Sequence, residues 1–558
     1  MRKSLLMMTA ALFVAACSNN EAGPTKRVSA DGTSTLGIVA DGAKHVAYVL
    51  NASAGYGAKG ELHVSDPDGK DVKIAANVSV GGYLFSQDGK GLLFEVASTG
   101  NDASLSWVDV SNLTAPPKPV FAGGLQQSPI TPGTTAPTFA TPLLQQGFVS
   151  PSGRFYVVGV LAPDVGVSPD LHVIDMDSGT DVFQRSNGAF DYLELVLPND
   201  VMVYQDAVGG NGGIAGGAGL QTLFWVDLTS ASPTATTIAT RTGAYTPTGD
   251  NKNIVYQDAD TRELYVWDAV ARPATGTKVA SNALTFAVAN SGPIAYVGTD
   301  GSIHVIGLDG TAVVDVAAAT AKADLFTPMY ISDDGADVYY FQTVATQNGQ
   351  GTLMHLPASA GATPSKVADS ASLEDVHPLP GGALLYLANV DGTGQAGDAF
   401  KSARDGSGAM PLGTRVPLGF LSVTRPTDTT SSDWASLHLY NTTEDKNKHL
   451  VDGIRAITGG LELTTANNNF ATVEPSARIG QFELSDDLKS VVFISGAAFD
   501  MLVDNYVGSL KTAPVMDPTL APVKPLLTGV SELGGVVQGA GFVNAPKADK
   551  PGVYFVKY

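Results

Sequence analysis

The chain has a single cysteine, Cys17, in 558 residues, so no disulfide can close within it and no thiolate set can hold a metal. Charged residues supply only 16%, against about a quarter in an ordinary globular protein. No apolar run reaches the roughly 18–20 residues that a membrane-spanning helix needs. None of the eight histidines stands two or four residues from another, so no local zinc chelate is encoded. The Gly-x-Ser-x-Gly elbow of hydrolases is missing, and so are the zincin and dinucleotide-binding signatures. "GGNGGIAGGAG" (209–219) has the glycine density of a phosphate loop, but a strand follows it where a phosphate loop opens a helix.

What is abundant points to turns and short strands. The chain carries 62 glycines and 32 prolines. Its formal net charge is −21, from 33 Lys and Arg against 54 Asp and Glu. Removing Arg2 and Lys3 with a signal peptide makes this −23. Such a surface repels phosphate backbones, which argues against a nucleic-acid partner.

The first residues read "MRKSLLMMTAALFVAACSNN": two cations, an apolar run over 5–16, then Val14-Ala15-Ala16-Cys17. This stretch resembles the lipobox of bacterial lipoproteins, in which the cysteine sulfur receives a diacylglycerol. The resemblance implies a signal peptide over 1–17, lipid attachment at Cys17 and a membrane partner reached through that lipid. Two or three acyl chains hold stably where one anchors only marginally. By resemblance to the sorting rule of enteric lipoproteins, Ser18 in place of Asp favours the outer membrane. Residues 18–34 are expected to form a flexible polar tether.

A strand, a turn and a second strand then recur. The clearest copies are "YLFSQDGKGLLFEV" (83–96), "GFVSPSGRFYVVGV" (147–160), "PMYISDDGADVYYF" (328–341) and "FELSDDLKSVVFIS" (482–495). Asp-Gly or Ser-Gly between apolar runs marks a hairpin, because the turn needs a residue that tolerates positive φ. A third strand follows, often closed by Asp: "LHVSD" at 62, "LSWVD" at 105, "LHVID" at 171, "LFWVD" at 223 and "LYVWD" at 264. Runs such as "TTIAT" (236–240) and "SKVAD" (365–369) supply a fourth. Four short antiparallel strands every 40 to 50 residues spell a propeller blade.

These copies resemble the repeats of TolB-type, WD-like β-propellers. The resemblance spans 35–558, although 400–480 departs from it. The fold expected is all-β, a β-propeller of four-stranded antiparallel blades with about nine to eleven units. They form either two rings in tandem or one large ring with insertions. We divide them into a first half, 35–322, and a second half, 323–558, the second being a separate ring where two are present. Segments 113–142, 209–219 and 441–480 are expected as insertions between strands. "GVYFVKY" (552–558) is expected to close a blade with an N-terminal strand near 35–41.

His63, His172, His304, His355 and His438 all fall in the third-strand position, as do Trp107, Trp225 and Trp267. One per repeat is a spacing for packing rather than for convergent metal ligation. The acidic stretches 66–71, 175–181 and 332–337 offer oxygen ligands suited to calcium, yet Asp and Gly are equally what tight turns require. No catalytic residue, metal ligand or cofactor-binding residue is assigned. The function expected is a non-catalytic platform for an envelope protein or glycan, facing the periplasm or the cell surface. The alternative is a metal-assisted polysaccharide lyase or hydrolase with its site at the channel mouth.

Overall fold

The computed structural model describes most of the chain from Thr25 to Tyr558. Residues 1–24, most of 121–146, 161–169, 186–194, 208–220, 317–321, 425–433, 440–459, 466–469, 476–478, 516–524 and a few short turns lie outside the described residues. What is described is strand and turn, with one short 3-10 turn at Val110–Asn112. Among the described residues no helix is long and apolar enough to cross a membrane.

The unit is a four-stranded antiparallel sheet in sequential order. Tyr330–Ile331, Asp337–Ala345, Gln350–Pro357 and Ser365–Ser372 form one such sheet. Ala283–Val288, Ile294–Gly298, Ile303–Ile306 and Ala312–Val316 form another. The second strand of each carries an apolar run, Val338–Phe341 in the first and Ile294–Val297 in the second. Val46–Leu50 and Ile294–Gly298 are buried at every position, as a strand reads when both its faces are covered by neighbouring sheets. Fourth strands such as Ala312–Val316 expose alternate residues, because they lie at a sheet edge.

Nine hydrogen-bonded sheets are present among the described residues, and two of them are long. In the eight-stranded sheet, Asp71–Phe85 is the fourth strand of one unit and continues as the first strand of the next, with a register break between Val78 and Tyr83. Thr236–Pro247 does the same in the seven-stranded sheet, breaking between Thr242 and Tyr245. The three-stranded sheet of Ala435–Leu439, Gly460–Thr465 and Phe470–Pro475 is extended by a bridge from Thr424 to Ala435.

The N-terminal strand Thr25–Arg27 pairs antiparallel with the C-terminal strand Gly552–Lys557, completing the sheet that begins at Glu532–Val537. The expected closing strand is thus found, but with a different partner. Thr35–Ala40 instead opens the first sheet. Residues 25–30 therefore leave the expected tether: Val28 is buried, and its N–H donates to the Val553 carbonyl at 2.9 Å. A second correction concerns 400–480, where the repeat pattern fades from the sequence. Met410–Pro417, Gly460–Thr465 and Phe470–Pro475 are strands of the same type, so the expected insertion 441–480 contains two of them. Lys118–Pro119 and Leu125–Gln126, within the expected excursion 113–142, both pair with Asp102–Asp109. Segment 209–219 lies outside the described residues, between Val201–Ala207 and Gln221–Asp227.

Among the described residues eleven apolar clusters fill the spaces between and beside the four-stranded units. One joins Val49, Leu62 and Val64 to Tyr83, Leu92 and Phe94. Another joins Tyr339, Phe341 and Leu353 to Val376, Leu384 and Tyr386. A third runs across 322/323, joining Ala295 and Val305 to Val338 and Tyr340. Phe542, Val553 and Phe555 of the sheet that holds both termini pack on Val46 and Tyr48 of the first sheet. At roughly 1.5–3 kcal/mol for each buried Val, Leu or Phe, these clusters outweigh the turn and edge interactions around them.

Candidate binding surface

The turn between first and second strands is built in the same way five times. Ser86, Ser150, Thr248, Ser332 and Ser485 each receive, at the side-chain oxygen, the backbone N–H five residues on, at 2.8 to 3.2 Å. Four of them also donate to an Asp two residues on: Asp88, Asp250, Asp334 and Asp487. The third residue after the hydroxyl has positive φ in every copy, including Gly89, Gly153 and Gly335 at about +70° and, less usually, Leu488 at +55°. The hydroxyls and carboxylates of the repeated motif are therefore spent on holding its turn. Asp66 of 66–71 accepts from the Lys70 N–H, and Asp175 of 175–181 accepts from the Asp177 N–H and the Arg154 side chain. Among the described residues no three His, Cys, Asp or Glu side chains lie close enough together to hold a metal ion.

The third-strand histidines are each held within their own sheet. His63 Nδ1 pairs with Asp71 at 2.8 Å, His172 Nδ1 with Asp181 at 2.8 Å and His304 Nδ1 with Asp315 at 3.0 Å. His355 Nε2 pairs with Asp337 at 2.7 Å. A second-strand tyrosine stands opposite three of them, with Tyr48–His63, Tyr296–His304 and Tyr339–His355 ring centroids 5.7, 4.6 and 5.3 Å apart. Elsewhere an aromatic replaces the histidine, as in Tyr204–Phe224 and Tyr256–Tyr265. Such cross-strand pairs stabilise a sheet. His438 lies in Ala435–Leu439, which follows the Thr424 bridge and is the second strand of its sheet rather than the expected third; its side chain is outside the described residues.

The tryptophans tie sheets and turns together. Trp107 Nε1 donates to the Met176 carbonyl of the next sheet at 2.6 Å. Trp267 Nε1 donates to the Pro273 carbonyl, and Arg272 lies over the Trp225 ring.

A shallow cleft of about 90 Å³ opens where the turn at Ser332 meets the next sheet, between Asp334, Asp337 and Tyr339 on one side and Pro380, Gly382 and Arg404 on the other. Arg404 reaches across it, with Nη1 2.6 Å from Asp337 and Nη2 3.0 Å from Asp334. Burial opposes ionisation of Asp334, but the Ser332 hydroxyl, the Ala336 N–H and Arg404 together hold its carboxyl below the usual range. Tyr339 donates to the Arg404 carbonyl at 3.0 Å, and burial pushes its phenol well up. His355, Asp337, Arg404 and Asp334 thus form one chain of hydrogen-bonded side chains that joins two sheets. Histidine spacing alone located His355. The carboxylate partners were missed; a His followed 8 to 11 residues later by Asp (63/71, 172/181, 304/315) was their one signal. Nothing local marks the contact of Arg404 with Asp334, 70 residues away. Cys17 lies outside the described residues.

No protein-family model and no curated protein sequence matches the chain. Among solved structures it is similar to a eukaryotic initiation factor at 12% identity and TM-score 0.42, over 75% of this chain and 93% of that one. It is similar to the C-terminal WD40 domain of Sif2 at 13% identity and TM-score 0.28, over 65% and 95%. It is also similar to the β-propeller domain of the trilobed protease from Pyrococcus furiosus at 11% identity and TM-score 0.28, over 57% and 95%. The last two are a WD40 domain and a β-propeller domain; the described residues of this chain are all-β and built mainly of four-stranded antiparallel units.

Proposed function

We propose that the chain is a TolB-like β-propeller, a single ring of eleven blades anchored by lipid at Cys17, that binds an envelope protein or glycan without turning it over. The single ring is supported by the packing between successive sheets and by the sheet that joins both termini and packs on the first. One observation carries the binding role. In an antiparallel blade, connections from second to third strand and from fourth strand to the next first strand leave from one end of the ring. The stretches between the flanking described strands at 127–147, 208–220 and 440–459 are all of these two classes. The opposite end carries the tight Ser-Asp turns and the shorter stretches 425–434 and 515–526. Loops on a rigid scaffold are where binding usually resides. The enzyme alternative needs acidic and histidine side chains converging at one mouth, whereas His63, His172, His304 and His355 are each paired with an Asp in a different sheet.

The test has two arms. Fatty-acid labelling should mark the parent and not Cys17→Ser; equal label on both would remove the anchor. Protein lacking the lipid should retain one envelope component on affinity purification, and deleting 209–219 or 441–458 should lose it. Depolymerisation of a polysaccharide, abolished by EDTA or by one His or Asp substitution, would replace the platform with the enzyme.

A further inference from the structure

We propose that the edge of the molecule formed by the termini-joining sheet and the hairpin before it is a docking surface for anionic phospholipid. It rests on the reading of Cys17 as the anchor, and four observations lead to it.

The first is reach. Residues 18–24 are all that separate Cys17 from the strand Thr25–Arg27. Seven residues span at most about 25 Å when fully extended, so the sheet containing that strand is held within that distance of the headgroups.

The second is charge. This sheet and its turns (25–27 and 532–557) carry Lys26, Arg27, Lys547, Lys550 and Lys557 against Glu532 and Asp549, in a chain whose net charge is −21. Glu532 is half-buried, and its side chain accepts from Asn544 Nδ2 at 3.0 Å.

The third is placement. Lys26, Lys547, Lys550 and Lys557 are all exposed. Lys26 stands opposite Phe555, and Lys557 lies two residues beyond it, so both project from one face of the sheet. Lys547 and Lys550 flank the other end of the same strand, which is about 20 Å long at 3.3 Å per residue.

The fourth is an apolar tip beside those lysines. Ser490–Asp500 and Asn505–Pro514 extend past their neighbours: pairing to the first strand stops at Ser495 and to the fourth at Gly508. On this projecting ribbon Phe499 is 51% exposed and Met501 87%. Lys547 pairs with Asp500 at 3.1 Å and so fixes the tip against the basic sheet.

Cations beside an exposed apolar tip, on a short leash to a lipid, form a two-part membrane contact: lysines meet phosphates while Phe499 and Met501 enter the interface. The acidic remainder of the surface is repelled by the same lipids, which sets the orientation. Met501, Lys547 and Lys550 stand in second-to-third-strand connections, with Phe499 just before one of them, so the contact lies at the rim of the loop-bearing end and the opposite end stays open to solvent.

Cys17 is the sole thiol, so a soluble chain beginning there can be coupled to maleimide lipid in vesicles without relying on cellular lipidation. With phosphatidylglycerol in the vesicles, Lys26, Lys547, Lys550 and Lys557 should acetylate several-fold more slowly than on phosphatidylcholine vesicles. Lys252 and Lys366 should not change. Uncoupled protein should bind the anionic vesicles at low salt, and Phe499→Asp with Met501→Asp, or Lys547→Glu with Lys550→Glu, should weaken that binding more than about tenfold. Both pairs are exposed, so their melting temperatures should match the parent. Equal acetylation on the two vesicle types, protection of the control lysines instead, or unchanged binding by the variants would overturn the proposal. So would a protein found to cover Phe499 and Met501 in the envelope. Failure of Cys17 lipidation would appear only in the fatty-acid label, which keeps the two readings apart.

Discussion

Gly179 sits in a turn at φ +59°, and a Cβ there would come 2.6 Å from the Trp107 side chain of the preceding sheet. Glycine alone fits both the backbone and the contact. Gly179→Ala should cost more than the roughly 1 kcal/mol of an unstrained helix or strand exchange, read as a lower denaturant midpoint. Glu532 makes a pH prediction. Burial raises its pKa, opposed only in part by the hydrogen bond from Asn544. In the unfolded chain it ionises near 4.3, so between that value and its raised folded value the folded state binds the extra proton. Stability therefore falls as pH rises through that window and returns on acidification. Glu532→Gln should be more stable than the parent at pH 8, with the difference shrinking toward pH 4 in chemical denaturation. A difference that is constant with pH would show that the carboxyl does not titrate with folding.

At the scale of elements, Ser332 shows what one turn contributes. Its hydroxyl donates to Asp334 and accepts the Asp337 N–H, and Ser332→Ala should lose about 1 kcal/mol. The strand Gly552–Lys557 matters more, since Val553, Tyr554, Phe555 and Val556 are all buried. Deleting 552–558 should give aggregated protein, whereas removing 1–24 should leave the melting temperature unchanged; the reverse result would remove the strand from the core. The hairpins were legible in the sequence because Ser-x-Asp-Gly fixes turn and register locally. The strand Thr25–Arg27 was not, because three residues carry no periodicity and their pairing is set by a partner more than 500 residues away. Strands near 435–475 were hidden for a related reason: Gly460–Thr465 and Phe470–Pro475 lack the Asp-Gly turn that announces the other copies. Of the candidate site, the histidine positions could be read directly, while the cross-sheet contact of Arg404 needed the packing.

At the scale of the whole molecule, continuity of the apolar clusters predicts cooperative unfolding. A cluster spans 322/323 and another links the terminal sheet to the first, so heat or denaturant should give one transition by every probe. Two resolved transitions, one per half, would favour two rings in tandem. The pairing of the termini also fixes an order in time. Val553 donates to Ser29 Oγ across 524 residues of sequence, so the strand made first cannot settle until the strand made last has arrived. Long-range pairing of this kind slows folding. Throughout synthesis the first sheet keeps Val46 and Tyr48 uncovered by Phe542 and Phe555. Nascent chains stopped just short of residue 552 should therefore be bound by holding chaperones more heavily than chains that include Gly552–Lys557.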